Sequence, residues 1–123
     1  MEPKPQIKHS VKSEIVIIRY GGCFGLSKKA VIRMAELGNP EAIEVVNENS
    51  DYFNGEHYDF YPNSTPRHDP VLVQTVKELG EEASGDSADL VIKTIQGNKY
   101  IIHEYDGSES VQEPRHIKWI VAE

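Results

Sequence analysis

Cysteine, basic residues and long apolar runs are all scarce in this chain. Its 123 residues include one cysteine, Cys23, which excludes an internal disulfide and a four-cysteine zinc site. The 13 lysines and arginines face 20 aspartates and glutamates, and the net charge of -7 argues against a protein that coats DNA or RNA. The longest apolar run, Ile15–Ile18, is far below the ~20 residues that span a bilayer. We therefore expect a cytoplasmic protein without a membrane anchor or a secretory signal.

Several sequence signatures of enzymes and of nucleotide-binding loops are also absent. The chain contains no Walker A loop, no G-x-G-x-x-G and no G-x-S-x-G nucleophile elbow. Neither H-E-x-x-H nor C-x-x-C spacing occurs, so the histidines follow no zinc-site pattern. From the sequence we accordingly assign no catalytic residue, no metal ligand and no cofactor.

The chain does contain the material for one domain. Its length fits a single domain, and its 38% hydrophobic and 27% charged residues are ordinary for a globular protein. Residues 1–13 carry two prolines and three lysines with little periodicity, and we expect a tail or an edge segment there. Residues 14–123 are then a single α+β domain.

Two helices are marked by suitable first and last residues. Ser27 is a good N-cap for an apolar stripe with helical spacing, and Gly38 stands where that helix should end. Asp69-Pro70 is typical of a second helix start, and we predict that this helix ends at Gly85.

The strands follow from β-branched and alternating patterns. Glu14–Tyr20 is almost continuously apolar, which predicts a strand buried on both faces. Residues 96–99 form a hairpin signal between two later strands, and Asp106-Gly107 marks another tight turn. The later strands are predicted at 88–95, 100–105 and 110–113, and residues 116–121 are predicted to be a last short strand or an edge segment. The element order predicts a two-layer α+β fold, with two main helices packed on a mixed or antiparallel sheet of four or more strands.

Residues 39–68 fit this scheme poorly. Thirty residues without strong periodicity are long for a connection within one domain. Either residues 42–46 add a short strand or helix, or the loop is functional. The segment also holds five of the ten aromatic residues, which could stack on a ligand.

The first candidate site is the glycine-rich loop before the first helix. Glycines allow close approach of a ligand to the backbone, and a helix start offers free N–H groups and partial positive charge. These features predict a small phosphate cradle, although a tight turn between packed elements accounts for the same glycines. The candidate residues are Gly21, Gly22, Phe24, Gly25, Ser27 and Lys28, with Lys29 beside them.

The second candidate site precedes the second helix. Arg67 could clamp a phosphate or carboxylate, and His68 could donate a hydrogen bond or act as an acid–base group. Both residues could equally be solvated neighbours of the Asp69-Pro70 helix start. If the two helices lie side by side in parallel, their starts converge and the two candidates form one site.

Two weaker candidates remain open. His103–Asp106 together with Glu109 could bind a divalent metal or provide acid–base chemistry, or could be the polar outer face of a sheet. Cys23 could be nucleophilic near a helix start, but a buried packing role is the more common one. We expect Tyr100 and Trp119 to be core or ligand-stacking residues, with the core as the default.

Four ordered motifs resemble a family of small proteins found in bacteriophage and other viral genomes. They are Tyr20–Ser27 (Tyr-Gly-Gly-Cys-Phe-Gly-Leu-Ser), Arg67–Pro70 (Arg-His-Asp-Pro), Val76–Gly80 (Val-Lys-Glu-Leu-Gly) and Glu104–Gly107 (Glu-Tyr-Asp-Gly). The likeness covers residues 14–121, with Cys23 as a departure from the usual loop and Arg115 and Trp119 as loose matches near the end. The resemblance implies a viral origin, hence the cytoplasm of a host cell, but no mechanism.

Three functions are compatible with these observations. The first is a viral accessory protein that binds a phosphate-bearing small molecule or nucleotide-derived signal, such as a sponge that counters host defence. The second is a metal-dependent hydrolase or nucleotide-processing enzyme that uses His68, Asp69 or the 103–106 cluster. The third is an acidic inhibitor that binds a host enzyme. We expect no long nucleic acid and no membrane as partners, and a homo-oligomer is left open.

Overall fold

The computed structural model describes residues 11–20, 22–48, 51–54, 59–86 and 88–122. Its elements are β1 (Lys12–Tyr20), α1 (Lys28–Glu36), α2 (Pro40–Glu48), α3 (Asp51–Asn54), α4 (Pro70–Leu79), β2 (Asp89–Gln96), β3 (Ile101–Tyr105) and β4 (Ser108–Gln112). Short 3-10 helices follow α4 at Gly80–Ala83 and β4 at Pro114–His116. This mixture confirms the α+β class. Because β1 begins at Lys12, the last two residues of the predicted tail belong to a strand.

Strand β1 is the centre of the molecule. It pairs antiparallel with β2, and Ile15–Ile18 are no more than 1% exposed. Val16 and Ile18 pack toward the helices, while Ile15 and Ile17 pack in a separate cluster with Ile95. The prediction of a strand buried on both faces is therefore confirmed, and the alternating side chains explain it.

The strands form two separate antiparallel sheets in the described part of the chain. One sheet is β1 with β2, and the other is β3 with β4. The predicted hairpin between β2 and β3 is therefore wrong. Gly97, with φ +78°, donates its N–H to Val11 O at 2.7 Å and accepts from Ser13 Oγ at 2.6 Å. These bonds hold the turn on the start of β1, and the chain then crosses to the second sheet.

The β3–β4 hairpin lies against the face of the first sheet rather than beside its edge. Ile102 and Val111 of the hairpin pack against the Ile15 and Ile17 side of β1. On the free edge of β1, Val16 N and O bond Arg67 and Ile18 N donates to the Glu109 carboxylate, so these groups are not available to the backbone of the hairpin. The two predicted layers thus become three: helices, the first sheet and the hairpin. A single sheet of four or more strands is not present in the described ranges.

The predicted caps of α1 are confirmed. Ser27 Oγ accepts a hydrogen bond from Ala30 N at 3.1 Å, and Gly38 follows the helix with φ +99°. Left-handed backbone of this kind favours glycine, so the helix ends where the sequence predicted.

The start of α4 is also confirmed, but its end is not at Gly85. Asp69 accepts from Leu72 N at 3.0 Å, and Pro70 is the first helical residue. The α-helix ends at Leu79 because Gly80 takes φ +57°, and a 3-10 turn follows.

Residues 39–68 include helices α2 and α3, so the helical alternative is correct. Asn39 Oδ1 accepts from Ala42 N at 2.8 Å, and Pro40 starts α2 in addition to stopping α1. Phe53 and Phe60 are buried in the helical core, at 6% and 7% exposed, and are therefore not free to stack on a ligand. Tyr58 and the side chain of Tyr52 lie outside the described residues.

The predicted last strand, 116–121, is not formed. Pro114–His116 is a 3-10 turn, and residues 117–122 have no regular secondary structure. Trp119 is 78% exposed, so its prediction as a core residue is wrong. Throughout the described ranges, every helix is too short or too polar to cross a bilayer.

Candidate functional site

Helices α1 and α4 run antiparallel, so their starts do not converge. Lys29 Nζ lies 2.6 Å from Glu82 Oε1, and further along α1 the Arg33 guanidinium lies 2.7 Å from Glu78. As residue numbers rise along α1, those of their partners fall. The start of α1 therefore meets the end of α4, and the prediction that the two candidates form one site is wrong. The acidic Glu82, which follows α4, therefore lies beside Lys29 at the start of α1.

The start of α1 is occupied by the 3-10 turn that follows α4. Ser27 N donates to Ala83 O at 2.9 Å, and Ser27 Oγ donates to Glu82 O at 2.6 Å. Lys28 Nζ lies 4.9 Å from the ring centroid of Phe53. The carbonyl oxygens of Glu82 and Ala83 thus lie at the start of α1, where a phosphate was expected, and they would repel an anion.

The glycines of the loop let neighbouring turns pack closely. Gly21 lies outside the described residues. Gly22, with φ +89°, donates its N–H to Gly107 O at 3.1 Å. Gly25 O accepts from Gly85 N at 2.9 Å, and a Cβ on Gly85 would lie 2.1 Å from Asp59 Oδ1. These contacts favour the tight-turn interpretation of the loop.

Arg67 contacts Phe24 of the glycine-rich loop, but its guanidinium is already paired with a carboxylate. The guanidinium carbon stacks 3.7 Å from the Phe24 ring centroid. Its two terminal nitrogens bond both carboxylate oxygens of Glu109, at 2.7 and 3.0 Å. One of them also donates to Val16 O at 3.2 Å. Arg67 therefore joins the hairpin, the glycine loop and β1, and both terminal nitrogens of its guanidinium bond protein groups in place of a ligand.

The electrostatics of Glu109 agree with this assignment. Its side chain is only 10% exposed, and burial alone would raise its pKa. Hydrogen bonds from Arg67 and from Ile18 N–H, the latter at 2.9 Å, outweigh burial and lower the pKa of Glu109. The carboxylate is thus held ionised beside the guanidinium.

The weaker candidates do not assemble into a metal centre. Glu104 caps the hairpin turn by accepting from Gly107 N at 2.8 Å, while Glu109 faces the interior. Within the described ranges, no three histidine, cysteine or acidic side chains are grouped so that they could hold a metal ion. Cys23 is exposed, so its predicted role as a buried packing residue is wrong.

His68 points to a different part of the surface, an open groove of about 740 Å³ between α4, β1 and the turn after β2. The groove combines basic, amide and aromatic side chains. It is lined by Lys12, Ser13, Glu14, His68, Pro70, Val73, Gln74, Lys77, Asn98 and Tyr100.

A histidine–tyrosine pair forms one wall of this groove. His68 Nδ1 lies 2.8 Å from Tyr100 Oη, and the two rings meet edge to face at 5.8 Å. Burial raises the pKa of Tyr100, although the positive charge of Arg67 acts in the opposite direction. The phenol therefore keeps its proton at neutral pH. When it donates to Nδ1, a neutral His68 carries its own proton on Nε2 and can donate it to a ligand.

Two lysines border the same groove. Lys77 Nζ lies 2.7 Å from a carboxylate oxygen of Glu14. Lys12 has no ion pair with any residue in the described part of the chain. The lining thus carries two lysines and one glutamate, a local excess of one positive charge in a chain of net charge -7.

Sequence reasoning missed all three acidic and lysine side chains of the groove, which are Lys12, Glu14 and Lys77. Lys12 and Glu14 are two residues apart, so a strand places them on one side, and this signal was visible. Lys77 and Tyr100 come from distant elements, and only the packing of α4 against β1 brings them to the groove.

The chain has no match among protein-family models, curated proteins or solved structures. The viral-family resemblance of its four motifs thus stays a prediction.

Proposed function

We propose that this protein binds a phosphate-bearing small molecule in the groove beside His68. The observation that carries the proposal is the grouping of the His68–Tyr100 pair with Lys12 and Lys77 in one open cavity. The original candidate at the start of α1 is less suitable, because backbone carbonyls fill it. Of the two basic candidates, Arg67 and His68, only His68 lines the groove.

The size and chemistry of the groove favour a nucleotide-sized ligand. Its volume of about 740 Å³ lies within the roughly 300–1,000 Å³ of typical small-molecule sites. Lysine ammonium groups and an imidazole N–H would contact phosphate oxygens. The half-buried Tyr100 and the amides of Asn98 and Gln74 offer a flat surface and hydrogen bonds for a base.

Titration calorimetry with inorganic phosphate, AMP and cyclic AMP tests the proposal. We expect a nucleotide to bind more tightly than phosphate alone, and His68→Ala or Lys12→Ala to weaken binding roughly tenfold, as loss of ~1.4 kcal/mol implies. Lys28→Ala and Lys29→Ala are matched controls at the start of α1 and should leave binding unchanged. Flat titrations with all three ligands, or weakening only in the Lys28 and Lys29 variants, would overturn the groove assignment.

The His68–Tyr100 pair also favours a second candidate, an enzyme that converts its nucleotide. A histidine poised by a protonated tyrosine is a reasonable acid–base group. Mass spectrometry of the recovered ligand, with and without Mg²⁺ or Mn²⁺, separates the two functions. A chemically unchanged ligand under every condition supports binding alone, whereas turnover that is lost in His68→Ala supports the enzyme.

Binding without conversion would suit the role implied by the viral resemblance. A protein that holds a nucleotide-derived signal lowers its free concentration in the host cytoplasm. A sponge of this kind needs affinity and abundance but no catalytic group, which fits the absence of a recognised catalytic motif from the sequence.

A further inference from the structure

One edge of strand β2 has backbone groups directed away from β1, the one strand that pairs with it in the described ranges. Val16 lies opposite Ile92 in the β1–β2 pair, and Val16 N donates away from β2, to Arg67 O at 2.9 Å. Hydrogen-bonding direction alternates along an antiparallel ladder. The N–H and C=O groups of Ile92 therefore also point away from β1, together with those of Leu90 and Thr94.

The two ends of this edge are covered, but its middle is open. Leu90 N donates to Ser84 Oγ at 3.0 Å, and Gln96 N donates to Glu113 Oε1 at 3.2 Å. Between these bonds lie two residues whose outward backbone groups have no partner in the described part of the chain: Ile92 and Thr94. Such an edge is a template for one more strand.

A second groove, of about 430 Å³, runs beside this edge. Its lining comes from both sheets and combines four apolar side chains with charged ones, which include Arg19, Lys93, Glu109 and Glu113. The apolar lining residues are Ile17, Val91, Ile95 and Val111. An added strand could thus place alternate apolar side chains in this groove while its backbone bonds the edge.

The C-terminal segment, residues 117–122, has the complementary properties. It has no regular secondary structure, and Trp119, Ile120 and Val121 are 78%, 97% and 74% exposed. Aromatic and β-branched residues in a row favour strands. Three adjacent large apolar side chains in water indicate a binding segment.

We propose that residues 117–122 of one copy of this chain add as a strand to the Ile92–Thr94 edge of a second copy, and that the exchange is reciprocal. The segment begins just after Glu113, whose carboxylate is bonded at the end of the same edge. In a twofold pair each segment therefore starts beside the edge that receives its partner. A reciprocal exchange buries two segments in two grooves. It therefore buries twice the area of a one-way exchange, which brings the interface toward the roughly 1,200 Å² that a stable interface requires.

Trp119 provides a direct readout because it is the only tryptophan in the chain. Sedimentation and tryptophan emission are measured on the full chain over a range of protein concentrations. We expect a monomer–dimer transition with a blue shift of the emission at the same concentrations. Thr94→Pro removes the outward N–H on an edge where proline is tolerated, and should weaken the dimer roughly tenfold or more. Thr94→Val keeps the N–H and is the matched control.

Ile120→Asp is a second variant that cannot disturb the fold through burial, because Ile120 is 97% exposed. It should abolish the dimer and the blue shift together. A monomer at all concentrations would overturn the proposal, as would a dimer that survives both Thr94→Pro and Ile120→Asp. A blue-shifted emission that does not depend on concentration would show that the segment binds its own chain, which also contradicts exchange between copies.

Discussion

Arg67 and His68 are neighbours in the sequence, but they belong to two regions of opposite character. The Arg67 side chain is 22% exposed and is held between Phe24 and Glu109, where it connects three parts of the fold. His68 is exposed and bonds Tyr100 at the wall of an open groove. Both residue types are common in anion sites. The difference teaches that a partly buried basic side chain whose terminal nitrogens already bond a carboxylate is not available to a ligand.

The comparison predicts that variants of the Arg67 region lose stability, whereas variants of the groove lose binding. The largest effect should come from Arg67→Leu, which leaves the Glu109 carboxylate buried without its partner. We expect a loss of about 3 kcal/mol in the free energy of unfolding, the lower range for a broken buried pair. Urea denaturation measures it.

Two further variants test the cause of that loss. Glu109→Gln should cost less than Arg67→Leu, because the amide oxygen still accepts from Ile18 N. In the double variant the two losses should not add, since each removes the same pair. Arg19→Ala, which breaks the exposed pair with Asp89, is the control and should change stability little. Equal losses of stability in Arg19→Ala and Arg67→Leu would contradict the claim that the Arg67–Glu109 pair stabilises the fold more than an exposed pair does.

The glycine loop should also affect stability rather than ligand binding. Gly85→Ala would place a Cβ 2.1 Å from Asp59 Oδ1 and 3.1 Å from the Gly25 carbonyl carbon. We expect a destabilisation of about 1–3 kcal/mol from overpacking. Thermal unfolding gives the value, and phosphate affinity in the same variant should match the parent chain. If affinity fell while stability held, the loop would be the ligand site after all.

Acid should weaken the Arg67 region selectively. The pKa of Glu109 is lower in the folded chain than its ordinary value, so its ionised form contributes stability that is complete above about pH 4.3. This contribution is lost as the pH falls through the lowered folded-state pKa. The free energy of unfolding should therefore decline below about pH 4.3, and Glu109→Gln should reduce the slope. A slope that is the same in the variant would exclude Glu109 as its source.

The smallest change in stability is expected at Tyr100→Phe. The substitution removes one partly exposed hydrogen bond to His68, worth about 0.5–1 kcal/mol. Nucleotide affinity should nevertheless fall, because His68 loses the hydrogen bond to Tyr100 Oη that orients its ring at the groove wall. Calorimetry measures the loss of nucleotide affinity, and urea denaturation measures the loss of stability in the same variant. A larger loss in stability than in affinity would mean that the pair is structural.

Local rules predicted the helix limits well where a cap or a left-handed glycine decides them. Ser27, Gly38 and Asp69-Pro70 act within a few residues of the chain, and each has its predicted role. The burial of β1 was readable for the same reason, since a continuous apolar run has no polar face to expose.

Strand partners and helix direction could not be read in this way. Gly97 carries a good hairpin signal, yet its turn bonds the start of β1, and the strands on either side of it, β2 and β3, belong to different sheets. The parallel arrangement of α1 and α4 was an assumption about packing, and the Lys29–Glu82 pair shows the reverse order.

The sequence by itself determined the class of fold, the helix caps and the central buried strand, because these depend on residues that are neighbours in the chain. Tertiary structure decided which of two adjacent basic residues faces solvent. Glu109 is 42 residues from Arg67, and Tyr100 is 32 residues from His68. Contacts at such separations depend on how the hairpin and α4 pack on β1. That packing pairs Arg67 with a carboxylate and leaves His68 at an open groove.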